Sequence, residues 1–246
     1  MIPRRHLHAF TLLLLACLLG GCASLPEGKS LDPQDPFERF NRASFSFNDG
    51  VDRAVLKPVA TTYKAVTPQV VQTGVTNFFG NLSDIPSALN ALLQAKPKSA
   101  ATDLARVAIN STLGLLGLVD VASPMGLERR REDFGLTLGA WGVGDGPYLV
   151  LPFLGPSSGR DAAGLVVDWP TDPLMHIDDT QWRAGLLGLR VADRRAGLLQ
   201  AEKALDAAAF DRYLLVRDAY LARRASLVLD GAPTGSPLPR VPSDTP

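Results

Sequence analysis

Cysteine and histidine are scarce in this chain of 246 residues. Both cysteines, Cys17 and Cys22, lie near the start, and so do two of the three histidines, which leaves His176 alone in the remainder. The body of the protein therefore has no disulfide to form, and it lacks the cluster of Cys and His that a zinc site requires. The sequence predicts no metal and no cofactor.

Excess charge and long hydrophobic runs are missing as well. The chain has 25 basic and 25 acidic residues, so no net positive field favours nucleic acid. Beyond the start of the chain no apolar run reaches the length of about 18 residues that a simple membrane-spanning helix needs. The chain is nevertheless 46% apolar, with a mean hydropathy of +0.08. This is high for a secreted soluble domain, and the length suits one sizeable domain.

Residues 1–21 have the pattern of a signal peptide. Arg4 and Arg5 precede an almost wholly apolar stretch over residues 9–19, which is too short to span a membrane. The small residues before Cys22 resemble a bacterial lipobox, in which the cysteine is acylated and becomes the first residue of the mature protein. Ala23, in place of an aspartate, favours sorting to the outer membrane.

Alternatives to this lipid anchor are an ordinary signal peptide with a bystander cysteine, a short buried helix, or acylation at Cys17. The last of these leaves Leu18 and Leu19 at the mature end, which disfavours it. Residues 22–34 are polar and are predicted to be a lipidated tether. Residues 232–246 are rich in proline and are predicted to be disordered.

The domain between them, residues 35–231, is predicted to be a bundle of short amphipathic helices. Asp35 and Pro36 suit the cap and first turn of a helix. Apolar residues then recur at spacings of three and four: Phe37, Phe40, Ala43, Phe47, Val51 and Ala54. Further helices are predicted after Thr67-Pro68, from Pro86, from Ser99, over 179–207 and over 209–228. Clear strand alternation is absent, so the predicted fold class is all-α.

The stretch 135–159 departs from the helical pattern, because it holds seven glycines and three prolines between apolar residues. Residues 142–147, GVGDGP, cannot be a helix interior, since each glycine costs about 1 kcal/mol and each proline about 3 kcal/mol. We predict an apolar loop or hairpin. Loops in water are normally polar, so this one is expected to lie against lipid or the lumen of a pore.

One motif in this stretch suits a hydrolase. Residues 155–159 match the G-x-S-x-G pattern around Ser157, and Asp161, Asp168, Asp172 and His176 follow in hydrolase order. The surrounding sequence lacks the alternating strands and helices that this motif requires. We therefore predict a capped turn, no catalytic residue and no enzymatic activity.

Ordered blocks of sequence resemble the MlaA (VacJ) family of outer-membrane lipoproteins over residues 35–231. The blocks are DPFERFNR at 35–42, KPVA at 57–60, NFFGNL at 77–82, NSTLG at 110–114, EDFG at 132–135, TLGAWGVGDGPY at 137–148 and RDAY at 217–220. The resemblance implies a ring of helices around a central amphipathic pore, seated in the inner leaflet of the outer membrane beside a trimeric porin. It also implies that the protein removes misplaced phospholipids from the outer leaflet and passes them to a periplasmic carrier, which maintains lipid asymmetry.

Within that role, the Gly-rich stretch and the arginines before it supply a candidate lipid pathway. The predicted contacts are Trp141, Val143, Tyr148 and Leu149 for acyl chains, Gly142, Gly144 and Gly146 for hinge motion, and Arg129, Arg130 and Arg131 for phosphate headgroups. Structural alternatives exist for each group: the arginines belong to a solvated helix start or pair with Glu128 and Glu132, the glycines form a tight turn, and the Phe stripe packs in a core. Two other functions stay open, a lipid hydrolase using Ser157 and a lipoprotein that only docks to a porin or assembly machine.

Overall fold

The computed structural model describes residues 32–208 and 211–231. The chain divides into two compact units, residues 1–33 and 34–246, and the description below concerns the second. The predicted signal peptide, the predicted anchor Cys22, most of the predicted tether and the predicted tail 232–246 lie outside the described residues.

Helices account for most of the described residues, which confirms the all-α prediction. The α-helices are α1 (Glu38–Val51), α2 (Lys57–Val66), α3 (Gln69–Leu93), α4 (Pro97–Thr112), α5 (Phe134–Ala140), α6 (Gly159–Thr171), α7 (Thr180–Ala208) and α8 (Arg212–Gly231). Shorter helical turns lie at Asp52–Leu56, Ser123–Met125 and Pro173–His176. Within the described ranges, no helix is both long enough and apolar enough to cross a membrane.

Helix α1 begins later than its capping pattern predicts. Phe37 precedes the first turn and supplies no side-chain cap. The Asp35 carboxylate is fully buried, and it instead accepts hydrogen bonds from Asn41 Nδ2 (2.7 Å) and from the Tyr213 hydroxyl. Burial without such donors is costly for a carboxylate. Asp35 therefore makes a tertiary contact, and its prediction as a helix cap is wrong.

Pro58 and Pro86 each lie within a continuous helical stretch. A π-helical turn joins α1 to α2 just before Pro58, which has no N–H for the usual backbone bond. Pro86 lies within α3, which is one continuous helix, so the prediction of a separate helix from Pro86 is wrong. An interior proline costs about 3 kcal/mol. Tertiary contacts offset this cost, because Ser87 Oγ donates to Asp103 Oδ2 (2.7 Å) and contacts the Arg130 carbonyl (2.9 Å).

Residues 148–158 of the Gly-rich stretch form a hairpin, one of the two conformations that its sequence predicts, whereas residues 135–140 of the stretch belong to helix α5. Strands β1 (Tyr148–Leu151) and β2 (Gly155–Ser158) pair antiparallel, with Tyr148 opposite Ser158 and Leu151 opposite Gly155. Asn41 of α1 fastens β1, because its side chain accepts from the Val150 N–H (2.8 Å) and donates to the Tyr148 carbonyl (2.9 Å). Tyr148, Val150 and Tyr213 form a buried cluster beneath this hairpin.

The last two helices lie close to their predicted bounds. Asp179 caps α7, since its Oδ1 accepts from the N–H groups of Gln181 (2.8 Å) and Trp182 (3.0 Å). Helix α7 packs on α2 and α3, while α8 packs on α5 and β2. Helix α5 packs on α6, and Gly164 of α6 contacts the backbone of Gly135 so closely that a Cβ would lie 2.5 Å from it. The sequence therefore places small residues where these two helices meet.

Candidate functional site

The described part of the protein exposes apolar side chains and buries polar ones. The most exposed apolar residues include Val70 (82%), Leu116 (75%), Val166 (75%), Phe153 (73%) and Trp182 (72%). The largest fully buried side chains include an arginine, two asparagines and three aspartates. Soluble proteins have the opposite distribution, and large exposed apolar surfaces mark contact with membranes or partners. The outer surface of this domain is therefore the first candidate for function.

Three of the four phenylalanines in α1 and just before it belong to this exposed surface, and the fourth, Phe45, packs on the buried cluster beneath the hairpin. Phe37, Phe40 and Phe47 are each about half exposed, at 49%, 50% and 46%. The opposite face of the same helix is buried, and it carries Asn41 and Ser44. The sequence predicts this apolar stripe correctly. Core packing, its structural alternative, does not fit, because the polar face points inward and the stripe points outward.

A second part of the exposed surface is the turn after α4, which we call the apolar turn (residues 113–119). Its side chains Leu113, Leu115, Leu116, Leu118 and Val119 are all exposed, from 47% to 75%. Its backbone groups bond inward, for example the Leu116 N–H to the Ser111 carbonyl (3.1 Å) and the Val119 N–H to the Gly114 carbonyl (2.9 Å). Such satisfied backbone is what a segment needs in order to lie in a medium without water.

The backbone of the apolar turn is strained. Leu115 and Leu116 have φ of 52° and 58°, and Gly117 has φ of 88°. Non-glycine residues in the left-handed region cost on the order of 1–3 kcal/mol each and persist only where surrounding structure holds them. Here Asn77 Nδ2 donates to the Leu118 carbonyl (3.2 Å) and helps to hold the turn. The molecule thus stabilises a conformation that directs its leucines outward.

Beneath this surface, α3 and α4 bury a network of charge. Arg106 is fully buried, and its guanidinium donates to Asp84 (3.2 Å), Asp120 (3.0 Å), Ser123 Oγ (3.0 Å) and the Leu127 carbonyl. Buried charges are stable only when they are paired and hydrogen-bonded in this way. The network fastens the loop 120–127 to the helix pair, so it has a structural role.

Arg129, a predicted headgroup contact, belongs to the same network. Its Nε lies 3.0 Å from Asp84 Oδ1, and its guanidinium covers Gly80, where a Cβ would lie 2.2 Å from Nη1. Arg130 and Arg131 are exposed, and among the described residues they make no side-chain hydrogen bond or ion pair. The structural alternative of pairing with Glu132 is not realised, since Lys96 occupies that carboxylate at 2.9 Å. Two of the three predicted arginines are therefore open to an external anion.

The predicted acyl contacts differ in their access. Trp141 and Val143 are exposed (55% and 46%), and Leu149 is partly buried. The Trp141 indole is fixed, because its Nε1 donates to the Leu93 carbonyl (3.0 Å). Tyr148 has none of its surface accessible and packs against Tyr213. We therefore assign Tyr148 to the core and keep the other three as candidates.

The predicted hinge glycines lie between fixed points. Arg160 donates to the Val143 carbonyl (3.3 Å) and forms an ion pair with the Asp145 carboxylate (2.7 Å), and the Arg160 backbone N–H bonds the Asp145 carbonyl (3.0 Å). Gly142 and Gly146 have φ of 90° and 66°, values that favour glycine. A Cβ at Gly144 would meet nothing within 4 Å. Gly142 and Gly146 thus form turns, whereas Gly144 has open space around it.

An ionic cluster holds this region against α8. Arg224 bonds Asp133 (2.6 and 2.9 Å) and Asp161 (2.7 Å), and Asp161 also accepts from the Tyr220 hydroxyl. Burial alone raises the pKa of Asp161, but the bond from Tyr220 and the charge of Arg224 outweigh burial and lower it. Asp161 is therefore a fixed anion within the structure.

Two cavities open between the helices. One of about 260 Å³ lies between α1, the hairpin, α7 and α8, with Phe45, Val150 and Leu198 on its walls. A second of about 390 Å³ lies between α2, α3 and α7, and its walls include the polar side chains of Thr76, Asn77 and Gln200. The first cavity is thus mainly apolar, whereas polar and apolar atoms line the second about equally.

The hydrolase motif does not form a catalytic arrangement. Ser157 is buried at 4% exposure, and its hydroxyl lies 3.3 Å from the Ser158 carbonyl. His176 contacts the Asp172 carbonyl (3.2 Å), and Ser158 Oγ caps α6 by accepting from the Asp161 N–H (3.1 Å). Most of the motif is strand β2, and its Ser158 caps α6, so the predicted helix cap is confirmed and the predicted turn is wrong. Within the described ranges, no group of His, Cys, Asp and Glu is arranged to hold a metal.

The sequence analysis missed the buried polar network and the arginines of α7. A signal for the network was present, since Asn81, Asp84, Ser87 and Asn90 recur every three residues on α3 and mark a polar face inside an apolar helix. Arg190 and Arg194 of α7 carry no such signal, because their helix has polar residues on every side. Only the fold lets the charge of Arg131 act on Arg194.

Comparison with known proteins agrees with this architecture. The family model described as MlaA lipoprotein matches residues 33–227. The chain is 36% identical over 220 residues to the intermembrane phospholipid transport system lipoprotein MlaA of Escherichia coli (strain K12), covering 84% of this chain and 82% of that protein. It is 34% identical over 226 residues to the protein of the same name from Haemophilus influenzae, covering 90% of each.

A solved structure from work on the structural basis for maintenance of bacterial outer membrane lipid asymmetry has the same fold. It is 36% identical, with a TM-score of 0.69, and the match covers 79% of this chain and 98% of that chain. An uncharacterised protein of Rickettsia typhi is 35% identical over 204 residues, covering 82% of this chain and 81% of that protein. The family prediction is confirmed, and the chain belongs to the MlaA lipoprotein family.

Proposed function

We propose that this protein is an outer-membrane lipoprotein that removes mislocalised phospholipids from the outer leaflet and passes them to a periplasmic carrier, so that the lipid asymmetry of the membrane is maintained. The observation that carries the proposal is the inverted distribution of side chains, with phenylalanines and leucines outside and charged networks inside. The names of the relatives, which are phospholipid transport lipoproteins, support it.

The exposed apolar surface fits a position in one leaflet. Acyl chains remove the cost of exposing Phe40, Phe47 and the leucines of the apolar turn, at about 25 cal/mol per Å² of apolar area kept from water. We propose that the domain lies in the inner leaflet, held also by acyl chains on Cys22. A ring of helices around an amphipathic pore then gives lipids a route through the domain.

The pathway is proposed to run past the Gly-rich stretch. Trp141, Val143 and Leu149 contact acyl chains, and Gly144 gives the segment between its fixed points room to move. Transport by this route breaks no covalent bond, so differential lipid affinity along the pathway and an energy source in the partner system are sufficient. The partners are a trimeric porin beside the domain and a soluble periplasmic lipid carrier that receives the lipid.

Deletion of the gene in its native host tests the function. Phospholipid exposed on the cell surface is expected to rise, and expression of the wild-type chain is expected to restore it, whereas Cys22→Ala is expected to fail. Ser157→Ala serves as the control and is expected to restore asymmetry fully, because the transport function needs no nucleophile. Unchanged surface phospholipid in the deletion strain would remove the transport role and leave the docking function in its place.

The hinge is tested at Gly144, because a Cβ added there meets open space. Gly144→Pro fixes φ and stiffens the segment, so complementation of the deletion strain is expected to drop. Gly144→Ala is the matched control, since it adds one methyl group and is expected to complement like wild type. Equal complementation by both variants would show that this segment does not need to move.

A further inference from the structure

The cavity of about 390 Å³ between α2, α3 and α7 holds one group of each charge, and we call it the three-helix cavity. Its lining includes one carboxylate, that of Asp193, and one ammonium, that of Lys64. The other polar side chains in the lining are amides and hydroxyls: Gln69, Gln72, Thr73, Thr76, Asn77 and Gln200. The cavity therefore presents a negative and a positive group among neutral groups that can hydrogen-bond a ligand.

Asp193 is a buried carboxylate without an ion pair. It is 8% exposed, and it accepts hydrogen bonds from the hydroxyls of Thr76 (2.9 Å) and Tyr63 (3.1 Å). A carboxylate has about four acceptor positions, so these two hydroxyls leave part of its capacity unused. The charge of Arg194, the next residue, interacts with that of Asp193, but among the described residues no basic side chain pairs with this carboxylate directly. Asp193 thus offers a site for a cation from outside the protein.

Lys64 has the complementary property. Its side chain is exposed near the end of α2, and within the described part of the chain its ammonium has no hydrogen bond or ion pair. Its backbone is fixed, because Gln72 Nε2 of α3 donates to the Lys64 carbonyl (3.2 Å) and to the Thr67 carbonyl (2.7 Å). A lysine ammonium binds phosphate as a point charge. The cavity therefore offers an anion a positive group on a fixed backbone.

Exposed apolar surface borders the three-helix cavity. Asn77, one of the lining residues, donates from Nδ2 to the Leu118 carbonyl (3.2 Å) and so joins the cavity to the apolar turn. Leu118 is 47% exposed, and Val70, which follows the lining residue Gln69 on α3, is 82% exposed. A ligand with its charged part in the cavity thus has apolar contacts directly beside it, as an amphipathic molecule requires.

We propose that the three-helix cavity binds the zwitterionic headgroup of a phospholipid, with the lipid ammonium on Asp193, the phosphate at Lys64 and the acyl chains along the apolar turn. A headgroup with both charges matches a site that has both, whereas a purely anionic headgroup leaves Asp193 without a cation. The ammonium also supplies N–H donors for the unused acceptor positions of the carboxylate. The proposal rests on the transport function stated above and deepens it, because it names the class of lipid that the domain prefers.

Lipid binding by the purified, acylated protein in detergent micelles tests the site. The probes are dioleoyl phosphatidylethanolamine, which carries an ammonium, and dioleoyl phosphatidylglycerol, which has the phosphate without the ammonium. Asp193→Asn is expected to weaken binding of phosphatidylethanolamine by about tenfold, the loss of a charge-assisted hydrogen bond, and to leave phosphatidylglycerol unchanged. Lys64→Gln is expected to weaken both lipids alike. Lys98→Gln, which removes an exposed lysine of α4 outside the cavity lining, is the matched control and is expected to bind both like wild type.

A further probe needs no mutant protein. N-acetylated dioleoyl phosphatidylethanolamine keeps the acyl chains and the phosphate but has no ammonium. The wild-type protein is therefore expected to bind it about tenfold more weakly than phosphatidylethanolamine. Equal binding of the two would overturn the role of Asp193 and leave transport intact. This comparison decides the proposal even where circular dichroism shows that Asp193→Asn has lost helical content.

The remaining outcomes separate this proposal from the transport function. An unchanged preference between the two lipids in a fully helical Asp193→Asn would overturn the site. Displacement of bound phosphatidylethanolamine by glycerophosphoethanolamine at equal concentration would assign the cavity to a soluble zwitterion instead of a lipid. Failure of the wild-type protein to bind any of these lipids would overturn the proposed function together with the site.

Discussion

The α3–α4 pair and the region beneath the hairpin have different interiors. The first is closed by small and charged residues, with Ala88, Ala91 and Ala100 buried at the helix contact and Arg106 bonded inside. The second is aromatic, and its buried residues are Tyr148, Val150 and Tyr213. One domain thus uses two ways of holding helices together.

The difference follows from what lies outside each region. Helices surrounded by apolar medium gain little from burying leucine, because the medium is as apolar as the interior. Close contact through small residues and internal hydrogen bonds must then stabilise them. The exterior of α3, α4 and the apolar turn is rich in exposed leucine and valine, which supports the position in a leaflet proposed above. The aromatic cluster under the hairpin uses the packing that water favours.

The largest effect is expected at Arg106. Arg106→Ala leaves Asp120 without its cation and Asp84 with Arg129 alone, and removing one partner of a buried pair costs about 3–5 kcal/mol. The free energy of unfolding, measured in detergent micelles with denaturant, should fall by that amount. Arg223→Ala, an exposed change, should stay within about 0.5 kcal/mol of wild type. Equal stability of the two variants would mean that the charged interior does not hold the helix pair.

The second effect contrasts two buried tyrosines of the hairpin region. Tyr213 donates its hydroxyl to the buried Asp35, whereas the buried Tyr148 hydroxyl has no hydrogen-bond partner. Tyr213→Phe leaves a buried acceptor short of a donor and should cost about 1–3 kcal/mol. Tyr148→Phe removes an unsatisfied polar atom and should be neutral or stabilising. Thermal unfolding of the two variants checks this order, and a reversed order would contradict the assigned hydrogen bonds.

A third effect, smaller and dependent on pH, is expected at Asp103 of α4. Burial raises the pKa of this carboxyl from its ordinary 3.8 to about 6, and its Oδ1 has no partner. The folded state therefore binds more protons than the unfolded state between these values, so stability falls as pH rises from about 4 to 6. Asp103→Asn should flatten the curve of unfolding free energy against pH in that window. An unchanged slope would show that another group titrates there.

Sequence patterns predicted the positions of the helices well and the tertiary contacts of those helices less well. Periodicity located α1, α4, α7 and α8, because spacing and capping are local properties. It missed the continuity of α3 through Pro86, since the cost of an interior proline is local while the contacts of Ser87 that offset it come from α4 and the loop before α5. Tertiary contacts of this kind are absent from any local pattern.

The sequence predicted which residues belong to the candidate site better than it predicted which of their side chains are exposed. The glycines and apolar residues of the Gly-rich stretch predicted an apolar segment in contact with lipid or a pore, and Trp141 and Val143 of this segment are exposed. Tyr148 and Leu149 are neighbours on a strand, so their side chains point to opposite faces of the hairpin. The face that packs against α8 is buried, and the sequence pattern does not show which of the two residues lies on that face. Likewise, the apolar periodicity of α1 fixes one face of the helix but cannot distinguish a face toward lipid from a face toward a core. Asn41 and Ser44 on the other face make this distinction, because a buried polar face leaves the apolar face pointing outward.

The smallest expected effect on stability comes from single cysteine substitutions, which test whether the apolar turn lies in a bilayer. Both native cysteines lie at or before position 22, so Leu116→Cys places one new thiol on the apolar turn, and Arg223→Cys places one on the exposed side of α8. Neither change should alter stability, because both side chains are exposed. A membrane-impermeant maleimide reacts with thiolate, which forms in water and is suppressed in apolar surroundings.

In outer-membrane vesicles opened to both sides, Leu116→Cys should therefore label far more slowly than Arg223→Cys, and both should label alike after denaturation. The slow labelling would arise from lipid rather than from protein, since the folded domain leaves Leu116 75% exposed. Rapid labelling of both thiols in the vesicles would place the apolar turn in water. The strain at Leu115 and Leu116 would then need a protein partner to explain why these leucines are held outward.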